Sequence, residues 1–128
     1  MKKIILLVSI IMATTAMTQA QNQATGKKYL RHVVLFKFKD GSSAADIKKV
    51  EDAFRHLPSK IKAVKDFEWG TNNSPENLDQ GFTHCFFVSF ESEKDRDVYL
   101  PHPDHKAFIE VLKPHLDKAL VVDYWAKK

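Results

Sequence analysis

Two strand-like segments that are apolar on both faces constrain the fold of this chain most strongly. The first starts at Tyr29 and alternates two sets of residues, with His32, Val34, Phe36 and Phe38 on one face and Val33 and Leu35 on the other. The second starts at Gly81 and alternates Phe82, His84, Phe86, Val88 and Phe90 with Thr83, Cys85, Phe87 and Ser89. Since strands of this kind are buried on both sides, something must cover each face of the sheet they form.

Residues at helical spacing follow the first strand. Ser42 or Ser43 can cap a helix whose apolar positions are Ile47, Val50, Phe54 and Leu57. We expect Pro58 to end this helix. A second strand is predicted over residues 64–70, followed by an exposed polar loop over residues 71–80.

A second helical region follows the segment that starts at Gly81. Ser92 with Asp95 indicates a helix start, and the first helical piece should run to about Leu100. Pro103 suits the first turn of a new helix. The apolar face of that helix is predicted to contain Phe108, Val111 and Leu112, and a last strand is predicted over residues 120–125.

The resulting order is strand, helix, strand, strand, helix, strand. It predicts an α+β fold of the ferredoxin-like βαββαβ type, an antiparallel sheet with both helices on one side. Helices can cover only one face of such a sheet. We therefore expect a second copy of the chain to cover the other face, in a homodimer.

The N-terminal residues are typical of a secretory signal peptide. A basic start, Met1-Lys2-Lys3, precedes a short apolar run over residues 4–12 and a small, polar stretch that ends at Ala20. We expect residues 1–20 to be removed, residues 21–28 to form a polar leader and residues 29–128 to form the domain. The mature protein is then periplasmic or secreted, with no membrane association after cleavage.

Composition excludes several classes of function. Removal of residues 1–20 leaves 108 residues, enough for one domain, and lowers the formal charge from +4 to +2. This near balance gives no electrostatic basis for binding nucleic acid or a membrane surface. Cys85 is the only cysteine, so no internal disulfide is possible and stability must come from packing.

Candidate functional residues concentrate at the junction of the last two helical segments. His105 follows Pro103 in the first turn of a helix, where the positive end of the helix dipole favours a neutral imidazole that can accept a proton. The alternative is that His102 and His105 are solvated and only mark a helix break. The spacing of these two histidines lacks the further ligands of a metal site, so no catalytic metal is expected. No sequence motif indicates a cofactor, and none is expected.

Two more histidines, His32 and His84, share the strand face that should point toward the helices. Each of them could be a core histidine whose hydrogen bonds are satisfied by its neighbours. Convergence with Tyr99 and His105 would instead form an apolar pocket with a few polar groups, which is the usual form of a small-molecule site.

The motifs of this chain resemble the stress-responsive dimeric α/β barrel (Dabb) family. The resemblance rests on residues 31–40, Trp69-Gly70, residues 81–84, Tyr99 with residues 102–105, and residues 122–124. It implies a dimeric α/β barrel with a cavity between sheet and helices in each subunit.

The same resemblance implies roles for single residues. By similarity to a plant polyketide cyclase of the family, His105 would be a general base and Tyr99 its supporting acid, with His32 and His84 as further pocket residues. Phe54 stands where that cyclase has a pocket tyrosine, so a hydroxyl is missing and we do not expect the same polyketide substrate.

Two functions remain open on the sequence. One is a cofactor-free general acid/base enzyme of cyclase or lyase type that acts on a small apolar or keto-acid-like ligand. The other is a non-catalytic stress protein that binds a ligand or serves as a scaffold.

Overall fold

The computed structural model describes residues 26–128. The predicted signal peptide (residues 1–20) and most of the predicted polar leader (residues 21–28) lie outside the described residues. Within residues 26–128, no helix is long and apolar enough to cross a membrane.

The described chain contains four strands and four helices around one sheet. In chain order they are β1 (Leu30–Phe38), α1 (Ala44–Arg55), α2 (Leu57–Lys60), β2 (Asp66–Thr71), β3 (His84–Phe90), α3 (Glu93–Tyr99), α4 (Pro103–Leu112) and β4 (Leu116–Trp125). The strands lie in the order β2-β3-β1-β4, and every neighbouring pair is antiparallel. The predicted ferredoxin-like α+β fold is confirmed.

The first helical region differs from its prediction. α1 begins after Ser43, whose side chain accepts a hydrogen bond from the backbone N–H of Asp46, but it ends at Arg55. Pro58 does not end this helix and instead lies in the first turn of α2. Proline is tolerated there because the N–H groups of a first turn have no partner within the helix.

Strand boundaries differ as well. β2 begins at Asp66, two residues later than expected, and β3 begins at His84. Gly81 lies outside β3 because it has φ +83° and because the N–H of Phe82 donates to the carbonyl of Asp79 in a turn. β4 begins at Leu116, four residues earlier than predicted, and its first residues pair with the end of β1 across a bulge.

The core lies between the sheet and the helices. The rings of Phe54 and Phe86 are 4.2 Å apart between centroids, and those of Phe54 and Phe108 are 4.6 Å apart. Phe36 of β1 lies 5.3 Å from Phe86. α4 buries Phe108 and Leu112, whereas Val111, predicted for the same face, is 38% exposed. Burial of each such side chain stabilises the fold by roughly 1.5–3 kcal/mol.

The helix-free face of the sheet is also apolar. Val33 pairs with Val122, and Leu35 pairs with Leu120, so these side chains share one face. Val122 is 49% exposed and Leu120 is 45% exposed in the single chain. The structure therefore leaves an apolar surface on the side that the helices do not cover.

Candidate functional site

The junction between α3 and α4 positions Tyr99 and His105. α3 ends at Tyr99 and α4 begins at Pro103, which occupies the first turn as predicted. The Nδ1 atom of His102 accepts a hydrogen bond from the backbone N–H of Asp104 at 3.1 Å, so an imidazole caps α4. This cap sets the direction of the turn that carries His105.

A cavity of about 320 Å³ lies between the sheet and the two helices that meet at this junction. We call it the histidine cavity. Its polar lining comes from His32, Tyr99, His105 and Asp123. The other lining residues are apolar: Val34, Phe36, Phe54, Leu100, Phe108, Ile109, Leu112, Ala119 and Val121. The structure thus brings four of the five predicted site residues, His32, Phe54, Tyr99 and His105, to one cavity.

Tyr99 is fully buried, and its hydroxyl has no hydrogen-bond partner within residues 26–128. Its ring lies 4.4 Å from the ring of His105 and 6.0 Å from that of His32, centroid to centroid. Burial raises the pKa of Tyr99 far above the ordinary value, so the hydroxyl stays protonated. It is therefore a hydrogen-bond donor without an acceptor.

His105 has a defined tautomer. Its Nδ1 atom lies 2.8 Å from the backbone carbonyl oxygen of Leu100. A carbonyl can only accept, so Nδ1 carries the proton and Nε2 of the neutral ring has the free electron pair. Burial lowers the pKa of His105, and the nearby His32 and His102 act in the same direction, against the opposing effect of the Leu100 hydrogen bond. Desolvation is the largest of these contributions.

His32 is held by two residues that the sequence analysis did not identify. Its Nδ1 atom lies 2.6 Å from Oδ1 of Asp123, and Oδ2 of Asp123 accepts a hydrogen bond from Nη1 of Arg96 at 3.1 Å. Asp123 stands opposite His32 in the register of β1 and β4. Because the carboxylate accepts from Nδ1, the ring nitrogen left for a ligand is Nε2. A lone acidic residue within the apolar run of residues 120–125 was the signal that could have identified Asp123.

His84 does not line the histidine cavity. It is buried, with Nε2 2.8 Å from Oε1 of Glu51 and Nδ1 2.8 Å from Oγ1 of Thr83. The indole of Trp69 stacks against its ring at 6.1 Å. His84 therefore has its own set of partners, and its predicted role in binding substrate stays a prediction.

The part of the chain that the structure describes holds no group of three or more His, Cys, Asp or Glu side chains that could bind a metal ion. The polar side chains of the histidine cavity are two imidazoles, one phenol and one carboxylate paired with an arginine.

Comparison with known proteins identifies similar sequences. Residues 30–126 match the family described as "Dabb: Stress responsive A/B Barrel Domain". A stress-response A/B barrel domain-containing protein of Arabidopsis thaliana is 41% identical over 95 residues, which cover 74% of this chain and 87% of the relative. Olivetolic acid cyclase of Cannabis sativa is 32% identical over 99 residues, which cover 77% of this chain and 98% of the cyclase.

Solved structures share the fold. A hydroxynitrile lyase from Passiflora edulis superposes with a TM-score of 0.74 at 25% identity, covering 80% of this chain and 96% of the lyase. A dimeric protein of unknown function with a ferredoxin-like fold from Bacteroides fragilis superposes with a TM-score of 0.62 at 27% identity, covering 75% of this chain and 94% of that one. The structural neighbours thus include dimeric ferredoxin-like proteins and an enzyme.

Proposed function

Because this chain belongs to the stress-responsive A/B barrel domain (Dabb) family, we propose that its histidine cavity binds a small apolar carbonyl compound and catalyses general acid/base chemistry on it. The reaction class is that of a cofactor-free cyclase or lyase, and the ligand is apolar or keto-acid-like.

The pairing of Tyr99 with His105 carries this proposal. Nε2 of His105 has a free electron pair, and the lowered pKa keeps the imidazole neutral near pH 7, as removal of a proton next to a carbonyl requires. Among residues 26–128 the buried Tyr99 hydroxyl has no acceptor, and Tyr99 lines the cavity, so an enolate oxygen that displaced the packing around the hydroxyl would supply one. The base would take the proton while the phenol donates a hydrogen bond to the oxygen that gains charge.

His32 would orient the ligand, and Asp123 and Arg96 would hold His32 in position. The Asp123 carboxylate fixes the tautomer of His32, and Arg96 fixes the carboxylate. The Nε2 atom of His32 can then bind a second polar atom of the ligand.

Phe54 would contact an apolar part of the ligand. Its ring is buried against Phe86 and Phe108 and offers no polar atom. The part of the ligand next to it is therefore apolar. The names of two relatives, a cyclase at 32% identity and a hydroxynitrile lyase at 25% identity, support an enzyme of cyclase or lyase type.

A ligand search followed by turnover measurements tests the proposal. The mature protein is incubated with an extract of small carbonyl compounds, and bound species are identified by native mass spectrometry. Each binder is then assayed for turnover with wild type, Tyr99→Phe, His105→Gln and the control His56→Gln, which changes an exposed imidazole outside the cavity.

We expect both cavity variants to retain binding of the ligand and to lose about a hundredfold or more in turnover, whereas the control keeps wild-type activity. Wild-type turnover that survives in both cavity variants would refute the roles of Tyr99 and His105.

A non-catalytic function is the second candidate. The continuous phenylalanine wall around Phe54 favours it, because an apolar wall can hold a ligand without any chemistry. Specific binding with no turnover of any binder in the wild type would support this candidate.

We also propose that the chain forms a homodimer and that it is exported. Two chains would pack through the helix-free faces of their sheets, as the exposed Leu120 and Val122 and the dimeric structural neighbour suggest. The N-terminal pattern over residues 1–20 supports export to the periplasm or the medium. N-terminal sequencing of the protein from a Gram-negative host should then start at or near Gln21, and an intact Met1 on a cytoplasmic protein would refute export.

A further inference from the structure

We propose that Thr83, activated by His84 and Glu51, is a nucleophile that accepts acyl groups from small neutral esters or thioesters. This site is separate from the histidine cavity and does not depend on the function proposed for it.

The hydrogen bonds of His84 set the direction of proton transfer. Its Nε2 atom lies 2.8 Å from the Glu51 carboxylate oxygen, and an ionised carboxylate can only accept, so Nε2 carries the proton. Nδ1 of the neutral ring then has the free electron pair, and it lies 2.8 Å from Oγ1 of Thr83. The Thr83 hydroxyl therefore donates to an imidazole that a carboxylate orients, which is the relation of nucleophile, base and orienting acid in acyl-transfer enzymes.

The packing of neighbouring aromatic rings holds the imidazole of His84 in place. The ring of His84 is buried between the stacked indole of Trp69 at 6.1 Å and the edge of Phe38 at 5.0 Å. Thr83 itself is exposed. In the single chain, the rings of Trp69 and Phe38 thus shield the imidazole from water, while Thr83 can be reached from solvent.

Thr83 and His84 also line a second cavity of about 340 Å³, which we call the loop cavity. The backbone N–H of Asn72 donates to the carbonyl of Thr83 at 2.8 Å, which holds Asn72 beside the nucleophile. Oδ1 of Asn72 accepts the N–H of Ser74, so the side-chain nitrogen of Asn72 is left as a donor for an acyl oxygen. Among residues 26–128 the lining contains Asp79 and no lysine or arginine, which favours a neutral acyl donor over an anionic one.

Acyl transfer to Thr83 and the later hydrolysis need only the acyl donor and water. Oγ1 of Thr83 attacks the acyl carbon as Nδ1 of His84 takes the hydroxyl proton, and a tetrahedral adduct forms. The bond to the leaving alcohol or thiol breaks, and that group departs with the proton from the imidazolium. An ester on Thr83 results, and water later cleaves it by the same path to release a carboxylic acid.

Acetylation by p-nitrophenyl acetate tests the proposal. The protein is Cys85→Ala in all arms, because the Cys85 thiol lines the same cavity and reacts with the same ester. Peptide fragmentation locates the acetyl group. Thr71 is an internal control: it lines the loop cavity and stands opposite His84 in the sheet register, but its hydroxyl makes no hydrogen bond to the imidazole.

We expect acetylation of Thr83 to exceed that of Thr71 by at least about tenfold, since a positioned base contributes roughly 10²–10⁴-fold. Glu51→Gln should lower the Thr83 rate toward the Thr71 rate, and Thr83→Val should abolish the label. Equal labelling of the two threonines would overturn the proposal, and this ratio is read within one protein, so it does not depend on the folding of any active-site variant.

Discussion

The Tyr99 hydroxyl is buried without a partner among the described residues, which costs about 1–3 kcal/mol of folding free energy. Tyr99→Phe removes this unpaired group and keeps the ring that contacts His105. We therefore predict that Tyr99→Phe raises the stability of the ligand-free protein by about 1 kcal/mol, measured by urea unfolding, while turnover falls.

Tyr29→Phe is the matched control, because the Tyr29 ring is only partly buried. This substitution should leave the stability within about 0.5 kcal/mol of wild type. A loss of stability in Tyr99→Phe would mean that the hydroxyl has a partner in the free protein and is not left unpaired for a ligand.

The pKa of His105 should make the stability of the protein depend on pH. Its folded pKa is lowered from the ordinary value of 6.5, chiefly by desolvation. As pH falls below about 6.5, the unfolded chain binds this proton first, so stability falls until the folded pKa is passed. His105→Gln should remove this part of the pH dependence in urea unfolding between about pH 7 and pH 5. A curve identical to that of wild type would contradict the assignment.

At the scale of elements, the α3–α4 junction depends on an imidazole cap. Nδ1 of His102 accepts the N–H of Asp104, as Ser43 and Ser92 do for their own helices. We predict that His102→Ala destabilises the protein by about 1 kcal/mol, and that His102→Asn restores most of this loss, because asparagine is a good N-cap.

Thermal unfolding measures both variants of His102. His56→Ala is the control, since the side chain of His56 forms no capping hydrogen bond at the start of α2. If His102→Ala and His56→Ala have equal effects, the cap contributes nothing to α4.

The elements also show how far the sequence could be interpreted. Alternation and capping signals identified β1, β3, α1, α3 and α4, and the order of elements was enough for the fold. Leu116–Ala119 was missed because its charged residues resemble an exposed loop, and only pairing with β1 extends β4 over it.

The candidate site was harder to predict than the fold. His32, Tyr99 and His105 could be chosen by residue type and position, but no local pattern could show that His84 turns to Glu51 and Thr83. Asp123 and Arg96 meet His32 only through the register of β4 and the docking of α3. Such contacts depend on tertiary structure.

At the scale of the whole molecule, the helix-free face should form the dimer. Leu35→Asp places a charge in the middle of the apolar patch formed with Leu120. We predict that light scattering gives twice the monomer mass for wild type, and monomer or aggregate for Leu35→Asp.

Leu78→Asp is the control for that experiment, because Leu78 is 69% exposed in the loop between β2 and β3. It should remain dimeric. A folded wild-type monomer at micromolar concentration would contradict the proposed assembly, and a dimeric Leu35→Asp would show that another face forms it.

The proposed function requires a neutral base at His105 in the histidine cavity, and an NMR titration of the imidazole nitrogens measures this property. We predict that Nδ1 carries the proton, as the Leu100 carbonyl requires, and that the titration midpoint lies below that of the same chain unfolded in urea. A midpoint equal to or above that of the unfolded chain, or a proton on Nε2 in the neutral ring, would contradict it.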